Sequence, residues 1–467
     1  MPKKYHIPIV EAPPRFIPVG KSTILDWEGG CLRCFKCVKR VCIYDAYNKR
    51  SFDRNRLADT IDSVCKNCLR CVQMCPGQVI SKKLNPEYAA LGDNYWTPEI
   101  ITKQWEQAGT GKIPVSGAGY RGPFSGPGFD DMWTDMSEIV RPTRDGIHGR
   151  EYINTSVALG RKPARLTFDA SGAPDLGCPA NIELPIPILF GELPFAPASP
   201  TVTENLALAA SRLGTLCEIP AKSWTDALDK YAANLVPVVG VSDLGAAGRL
   251  IAATRMTALA CGKDLKAAEM AVAEFKAQHP DKVLMVKIPL NEKAQAAALA
   301  LSLAGADVLS LCADRNGNGL GKKSATFVKD LVREVHLALV ARGDRDSVTI
   351  LSSGGVAMAE HVAKAVICGA DAVVVDVALL LAMECTLCLR CEKGLDCPVD
   401  IGGVSPEWGA KRIMNLMGAW RNQILEVLGA MGLREVKRLR GEVGRAMFFN
   451  NLEAETFGRL FGKKKSA

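Results

Sequence analysis

The chain has no apolar run long enough to cross a bilayer and no signal-peptide pattern after MPKKYHIPIV. Those absences exclude a membrane-spanning helix and predict a cytoplasmic protein. No basic run is interleaved with stacking aromatics and no groove-reading motif occurs, so nucleic acid is not an expected partner. No dinucleotide fingerprint appears either, which leaves NAD(P) without a predicted site. The formal charge of +8 is modest for 467 residues. It comes partly from the tail GKKKSA and partly from LREVKRLRGEVGR, and it suits a surface that attracts acidic electron carriers.

Cysteine is abundant instead, with 17 in the chain. Five of them, Cys178, Cys217, Cys261, Cys312 and Cys368, are scattered mostly among apolar residues and read as small buried hydrophobes. The others form three tight runs, and in a cytoplasmic enzyme such usage points to metal rather than disulfides. Cys31, Cys34, Cys37 and Cys42 form the first run; Cys65, Cys68, Cys71 and Cys75, followed by Pro76, form the second. Cys385, Cys388, Cys391 and Cys397 form the third. Short C-x2-C-x2-C spacings let consecutive sulfurs converge, and the more distant cysteine closes the fourth corner of a cubane. Structural zinc is the alternative, since it also accepts four thiolates, usually as two separated pairs.

The first two runs resemble a two-cluster bacterial-type ferredoxin module, in which the last cysteine of each run ligates the other cluster. The resemblance implies that Cys31, Cys34 and Cys37 join Cys75, while Cys65, Cys68 and Cys71 join Cys42. The first run departs from that pattern: its last gap is four residues, and Ile43 stands where proline is usual.

The third run closes the stretch from Ser347 to Pro398, which reads as strand, Gly-Gly turn, helix, strand and cysteine cluster. Glycines at 354 and 355, after Ser353, let the backbone approach an anion, and the helix starting near Ala357 aims its positive end at the same place. A plain tight turn is the alternative. The strand from Ala372 to Val377 is apolar except for Asp376, as expected of a parallel strand covered on both faces.

The Gly-Gly turn, the Gly-Ala-Asp approach to that strand and the cysteine run ending in Cys397-Pro398-Val399 resemble the FMN-binding synthase domain of glutamate synthase. That resemblance implies a (β/α)8 TIM barrel of the α/β class. It implies FMN held by Gly191, Lys287, Ser353, Gly354, Gly355, Val375 and Asp376. In the family three barrel-end cysteines hold a 3Fe-4S cluster; Cys385, Cys391 and Cys397 match them, and Cys388 adds a fourth ligand that argues for 4Fe-4S. The expected cofactors are therefore FMN and three 4Fe-4S clusters.

Apolar runs alternating with helical stretches support the barrel. Seven strands are clear, the first being Ile186 to Leu193, and the fourth is expected between Ala246 and Gly262. The expected order is an extended lead-in over 1–24, a ferredoxin-like module over 25–85 and a linker and approach segment over 86–180. The barrel follows over 181–403, and C-terminal helices split near Gly432 occupy 404–467. Glu99 to Gln107 reads as a helix, and Arg141, Arg144, His148 and Arg150 are candidates for the active-site mouth or for solvated scaffold charges.

Lys287, a lone cation in the strand VLMVKI, is costly there unless it meets an anion. The family places a lysine at this strand end against flavin or substrate, and Lys287 is the expected catalytic residue; the alternative is an ammonium that snorkels to water. The loop after the sixth strand, LCADRNGNGLGKKSATFVKD, lacks the family's glycine-rich motif, although Arg315, Lys322 and Lys323 could bind a carboxylate.

Two functions follow. One is a ferredoxin-fused synthase that reduces a 2-oxoglutarate-derived imine, with a small 2-oxo acid as substrate and a ferredoxin or NAD(P)H-oxidising subunit as donor. Met1-Pro2 offers no N-terminal cysteine nucleophile, so ammonia is expected from solution or from a separate glutaminase subunit. The other is a flavin and iron-sulfur subunit that only relays electrons to other redox subunits. Three cubanes predict about twelve iron and twelve acid-labile sulfide per chain. Elemental analysis that finds about three zinc instead would overturn the reading.

Overall fold

The computed structural model describes the chain apart from residues 1–6, 27–30, 33, 35, 48–51, 54–55, 58–61, 114–127, 135–151, 163–167, 174–179, 196–198, 263, 450–454, 457 and 459–467. Arg141, Arg144, His148, Arg150 and Cys178 lie outside the described residues. The chain divides into two compact units: one comprises 1–12, 106–385 and 389–467, and the other 13–105 with 386–388.

The larger unit is built on eight parallel strands. They are β1 (Ile188–Phe190), β2 (Cys217–Pro220), β3 (Leu235–Gly240), β4 (Met256–Ala260), β5 (Val283–Pro289), β6 (Val308–Cys312), β7 (Thr349–Ser353) and β8 (Ala372–Val375). They close in the order β3-β4-β5-β6-β7-β8-β1-β2 into a barrel. The fourth strand falls inside the expected window. The seam is completed where Val373 pairs with Ile188 and Phe190 with Cys217. Both faces of the ring are covered, so β8 is buried throughout, as a parallel strand requires.

The covering helices are α1 (Pro200–Leu213), α2 (Gly248–Ala253), α3 (Leu265–Gln278), α4 (Ala294–Ala304), α5 (Val328–Arg342), α6 (Ala359–Ile367), α7 (Val377–Ala382) and α8 (Pro406–Ala430). Local chemistry sets their ends. In α3 the Asp264 carboxylate accepts from the amides of Lys266 and Ala267, and α1 stops at Gly214, whose φ of 70° would strain other residues. The connection from β2 to β3 runs through 3-10 turns, Ala221–Ser223 and Asp226–Asn234, in place of an α-helix. The expected strand from Ala372 to Val377 ends at Val375, because the Asp376 side chain turns to accept from Val377 N at 2.6 Å and caps α7.

After the barrel, α8 starts on Ser405, which accepts from Trp408 N, with Pro406 in the first turn. It buries Ile413, Leu416, Met417, Trp420, Ile424 and Leu428. A second C-terminal helix was expected beyond Gly432. Gly432 turns the chain at φ 74°, and the residues up to Phe448 make 3-10 turns and a short strand, Ala446–Phe448, paired with Met132–Thr134; helical backbone returns among the described residues beyond it, at Phe449, Glu455, Thr456 and Gly458. The charged, glycine-punctuated sequence between Gly432 and Phe448 cannot hold a continuous apolar stripe.

The smaller unit pairs Ser22–Asp26 antiparallel with Ile80–Leu84. Its core is Val41, Ala46, Tyr47, Cys71 and Ile80, against which Cys37, Cys42, Cys65 and Cys75 pack. The expected helix at 99–107 is present as Pro98–Thr110.

Arg412, 1% exposed on α8, is the most demanding buried group of the larger unit. It donates to Ala382 O at 2.6 Å and Ala12 O at 3.1 Å, lies 3.6 Å from Glu384 and stacks on Trp408. Arg412→Ala would strand Glu384 and two carbonyls, at a cost of about 3–5 kcal/mol. Chemical denaturation should show the loss, and Arg412→Lys should recover only part of it because the fork geometry is lost.

Candidate functional site at the barrel mouth and the cysteine loops

Parallel closure brings the carboxyl ends of the strands to one face, and the charged residues placed there by sequence converge. Lys287, on β5, pairs with Glu218 on β2 and with Glu192 just after β1, with Nζ to oxygen distances of 2.5 Å to each. Glu218 is 1% exposed. Its Oε2 also accepts from the Glu192 amide at 3.4 Å, and its Oε1 is buried with no hydrogen-bond partner. Burial alone would lower the lysine's pKa; Glu218, Cys312 and Glu192 outweigh it and hold the ammonium charged. Lys287 therefore does not snorkel to water.

Asp376, at the end of β8, is 8% exposed. Burial pushes its carboxyl up to about 6, and Glu218 adds to the rise while Lys287 opposes it. Cys312, the last residue of β6, is likewise raised by burial to about 11, with Lys287 opposing. The mouth thus holds one cation among three carboxylates, an acidic site that favours a cationic guest.

The two glycines of the β7 turn have a packing role. A Cβ on Gly354 (φ 96°) would lie 2.4 Å from Asp314 O, and one on Gly355 (φ 70°) would lie 2.6 Å from Gly317 Cα. The loop after β6 rests against them, ordered by Asp314, whose Oδ1 accepts from the amides of Asn316 and Asn318. The amide of Ala357, two residues ahead of α6, donates to His361 Nδ1 at 3.1 Å. Gly191 has a similar reason: its amide donates to Val375 O at 2.8 Å, and a Cβ would meet Val374 at 2.6 Å. Ser353 O accepts from Ala313 N at 2.9 Å, and the Ser352 hydroxyl is buried without a partner. The buried Glu218 Oε1 without a partner, beside Lys287, fits a donor such as a flavin hydroxyl or ring N–H.

Two cations offered by the loop after β6 are engaged. Arg315 pairs with Glu392 at 3.2 Å and Lys323 with Glu334 at 3.1 Å. His336, on α5, accepts from Arg345 Nε at 2.9 Å, and burial lowers it to about 4, so it is a neutral structural acceptor.

In the smaller unit Cys31, Cys34, Cys37, Cys71 and Cys75 line one cavity with Val41, Pro76 and Ile80. Cys31, Cys34, Cys37 and Cys75 therefore share a lining, although Cys42, Cys65 and Cys68 are not part of it. Among the described residues no group of three or more His, Cys, Asp or Glu is placed to hold a metal ion. Burial pushes the ionisation of the Tyr47 hydroxyl far up, and the neighbouring Cys71 adds to the rise.

Cys385 is buried, Cys391 and Cys397 are half-buried and Cys388 is exposed. Their loop repeats the backbone of the second run. Asn67 (φ 55°) and Leu69 (φ 60°) follow Cys65 by two and four residues, and Leu387 (φ 54°) and Leu389 (φ 55°) follow Cys385 at the same offsets. Left-handed backbone costs a non-glycine residue about 1–2 kcal/mol. Paying it four times at matched positions fits loops shaped to turn thiols inward around a cluster.

Sequence reasoning missed Glu192 and Glu218. Glu218 carried the signal that singled out Lys287, a lone charge inside an apolar strand, and a buried cation calls for such a partner.

Residues 250–434 match the family model described as a conserved region in glutamate synthase. The archaeal glutamate synthase (NADPH) of Archaeoglobus fulgidus is 29% identical, over 92% of this chain and 94% of that protein. The archaeal-type enzyme of Dehalococcoides mccartyi is 26% identical over 88% and 92%. The glutamate synthase (NADPH) large chain of Azospirillum brasilense is 22% identical over 36% of this chain and 12% of its own.

Asp376 makes stability depend on pH. Its folded carboxyl binds a proton up to about pH 6, whereas unfolded aspartate releases it near 3.9. The folded state thus holds the extra proton between those values, and stability falls as pH rises through that window. Asp376→Asn should flatten the profile between about pH 4 and 6, measured by denaturant midpoints; an unchanged slope would place the titration elsewhere.

Proposed function

Because the chain belongs to the archaeal-type glutamate synthase family, we propose that it is an iron-sulfur flavoprotein oxidoreductase of the glutamate synthase type. It takes electrons from ferredoxin-type clusters and reduces the imine of 2-oxoglutarate and ammonia to glutamate. FMN, when bound, supplies the hydride to the imine carbon.

The observation that carries this reading is the ion cluster of Lys287, Glu192 and Glu218 at the strand ends, where barrel enzymes work. The hydride acceptor is best as a protonated iminium, and an anionic cage lowers the energy of that cation. Lys287, kept charged by Glu218 and Glu192, stands where it can orient the oxo acid or hold the proton that the nitrogen keeps. In this reading Ser353, Gly354, Gly355, Val375, Asp376 and Gly191 surround the flavin. Two 4Fe-4S clusters lie on the first two cysteine runs, and a third on Cys385, Cys388, Cys391 and Cys397. A ferredoxin or an NAD(P)H-oxidising subunit supplies the electrons, and ammonia comes from solution or a separate glutaminase subunit.

One observation favours the second reading, a flavin and iron-sulfur relay without amino-acid chemistry. The pairing of Arg315 with Glu392 and of Lys323 with Glu334 occupies two cations otherwise suited to a dicarboxylate.

Anaerobic reduction followed by 2-oxoglutarate and ammonium separates the two. Flavin reoxidation with an equal amount of glutamate supports the synthase, and Lys287→Met should then slow it by about 10²-fold or more. A flavin that stays reduced until another redox protein is added supports the relay.

A further inference from the structure

Cys65 opens the second cysteine run, and its Sγ accepts a hydrogen bond from Lys82 Nζ at 2.8 Å. Lys82 lies on the strand Ile80–Leu84, in register with Ile24 of the strand Ser22–Asp26. The ladder fixes where its backbone stands, and its half-buried side chain reaches inward to the thiol rather than out to solvent. Neighbouring Ile80 is buried in the core against which Cys65 packs.

An ammonium needs an anionic acceptor to stay partly buried, and a neutral thiol is a poor one. A thiolate bound to iron is a good one. A cluster with four thiolate ligands is anionic, and reduction adds one more negative charge. A cation donating to a ligand sulfur stabilises the reduced form more than the oxidised form and raises the potential.

Resting on the iron-sulfur reading above, we propose that Lys82 is a positioning residue that acts through Cys65 and raises the potential of the cluster Cys65 ligates. Lys82 takes no proton in the reaction and touches no substrate; its effect is a difference between two clusters of the same protein.

The test uses the full chain with its clusters assembled, iron and sulfide assayed first, and each cluster followed by potentiometric titration with electron paramagnetic resonance. Lys82→Met should make one cluster harder to reduce, by about tenfold in its reduced-to-oxidised ratio at fixed potential, or ~59 mV for one electron. The other cluster should move much less, and Lys82→Arg should return the first toward the parent value. Iron present with neither potential moved, or with both moved equally, overturns the inference alone. If Lys82→Met loses its iron, Lys82→Gln against Lys82→Arg carries the comparison. Loss of iron from all three also overturns it, since the ammonium would then serve assembly. A parent chain without iron would fail the iron-sulfur reading itself and this inference with it.

Discussion

Closure of the eight-strand ring is the constraint on which the larger unit depends. A parallel strand left at an edge exposes a row of unpaired amides and carbonyls. The ring removes both edges only where β8 meets β1 and Phe190 meets Cys217. Gly191 extends that seam by one hydrogen bond to Val375, and it is glycine because Val374 occupies the space of a side chain. Once the ring is shut, residues separated by 69 and 95 positions become neighbours, which is how Lys287 finds Glu218 and Glu192.

That meeting is costly before it is useful. Three carboxylates and an ammonium have been taken from water into a site where Glu218 is 1% exposed and Asp376 8%. Glu218 answers one charge with another yet keeps one oxygen without a partner. Groups in that condition are held by the surrounding fold rather than contributing to it, and they are what a guest with donor groups would satisfy. The same logic explains the raised carboxyl of Asp376: the fold tolerates it most easily when it is neutral.

The smaller unit prepares its chemistry by a different route. It has a small core, and five of its cysteines belong to that core or pack against it. Position there comes from local backbone, with left-handed turns between thiols, and from one strand pair that delivers Lys82 to Cys65. The barrel converges distant residues by topology; the cysteine loops are shaped by local left-handed backbone.

Much of this was legible beforehand, for physical reasons that differ by element. The barrel could be read because parallel strands covered on both faces are apolar runs, and β4 escaped only because MTALA is short and alanine-rich. The resemblance to a two-cluster ferredoxin grouped Cys31, Cys34 and Cys37 with Cys75, and these four line one cavity together with Cys71. Lys287 stood out as a charge in an apolar strand. What the linear chain could not give was the identity of its partners, since nothing local relates Glu192, Glu218 and Lys287. Nor could it show that Gly354 and Gly355 are filled from outside by the loop after β6, that Asp376 turns back to cap a helix, or that the chain runs through 3-10 turns and a short strand between Gly432 and Phe448. The sequence by itself determined which elements form and which residue types carry chemistry, because hydrophobic period, capping and ligand spacing are local. The tertiary structure alone decided which charges face one another, because barrel closure sets those distances.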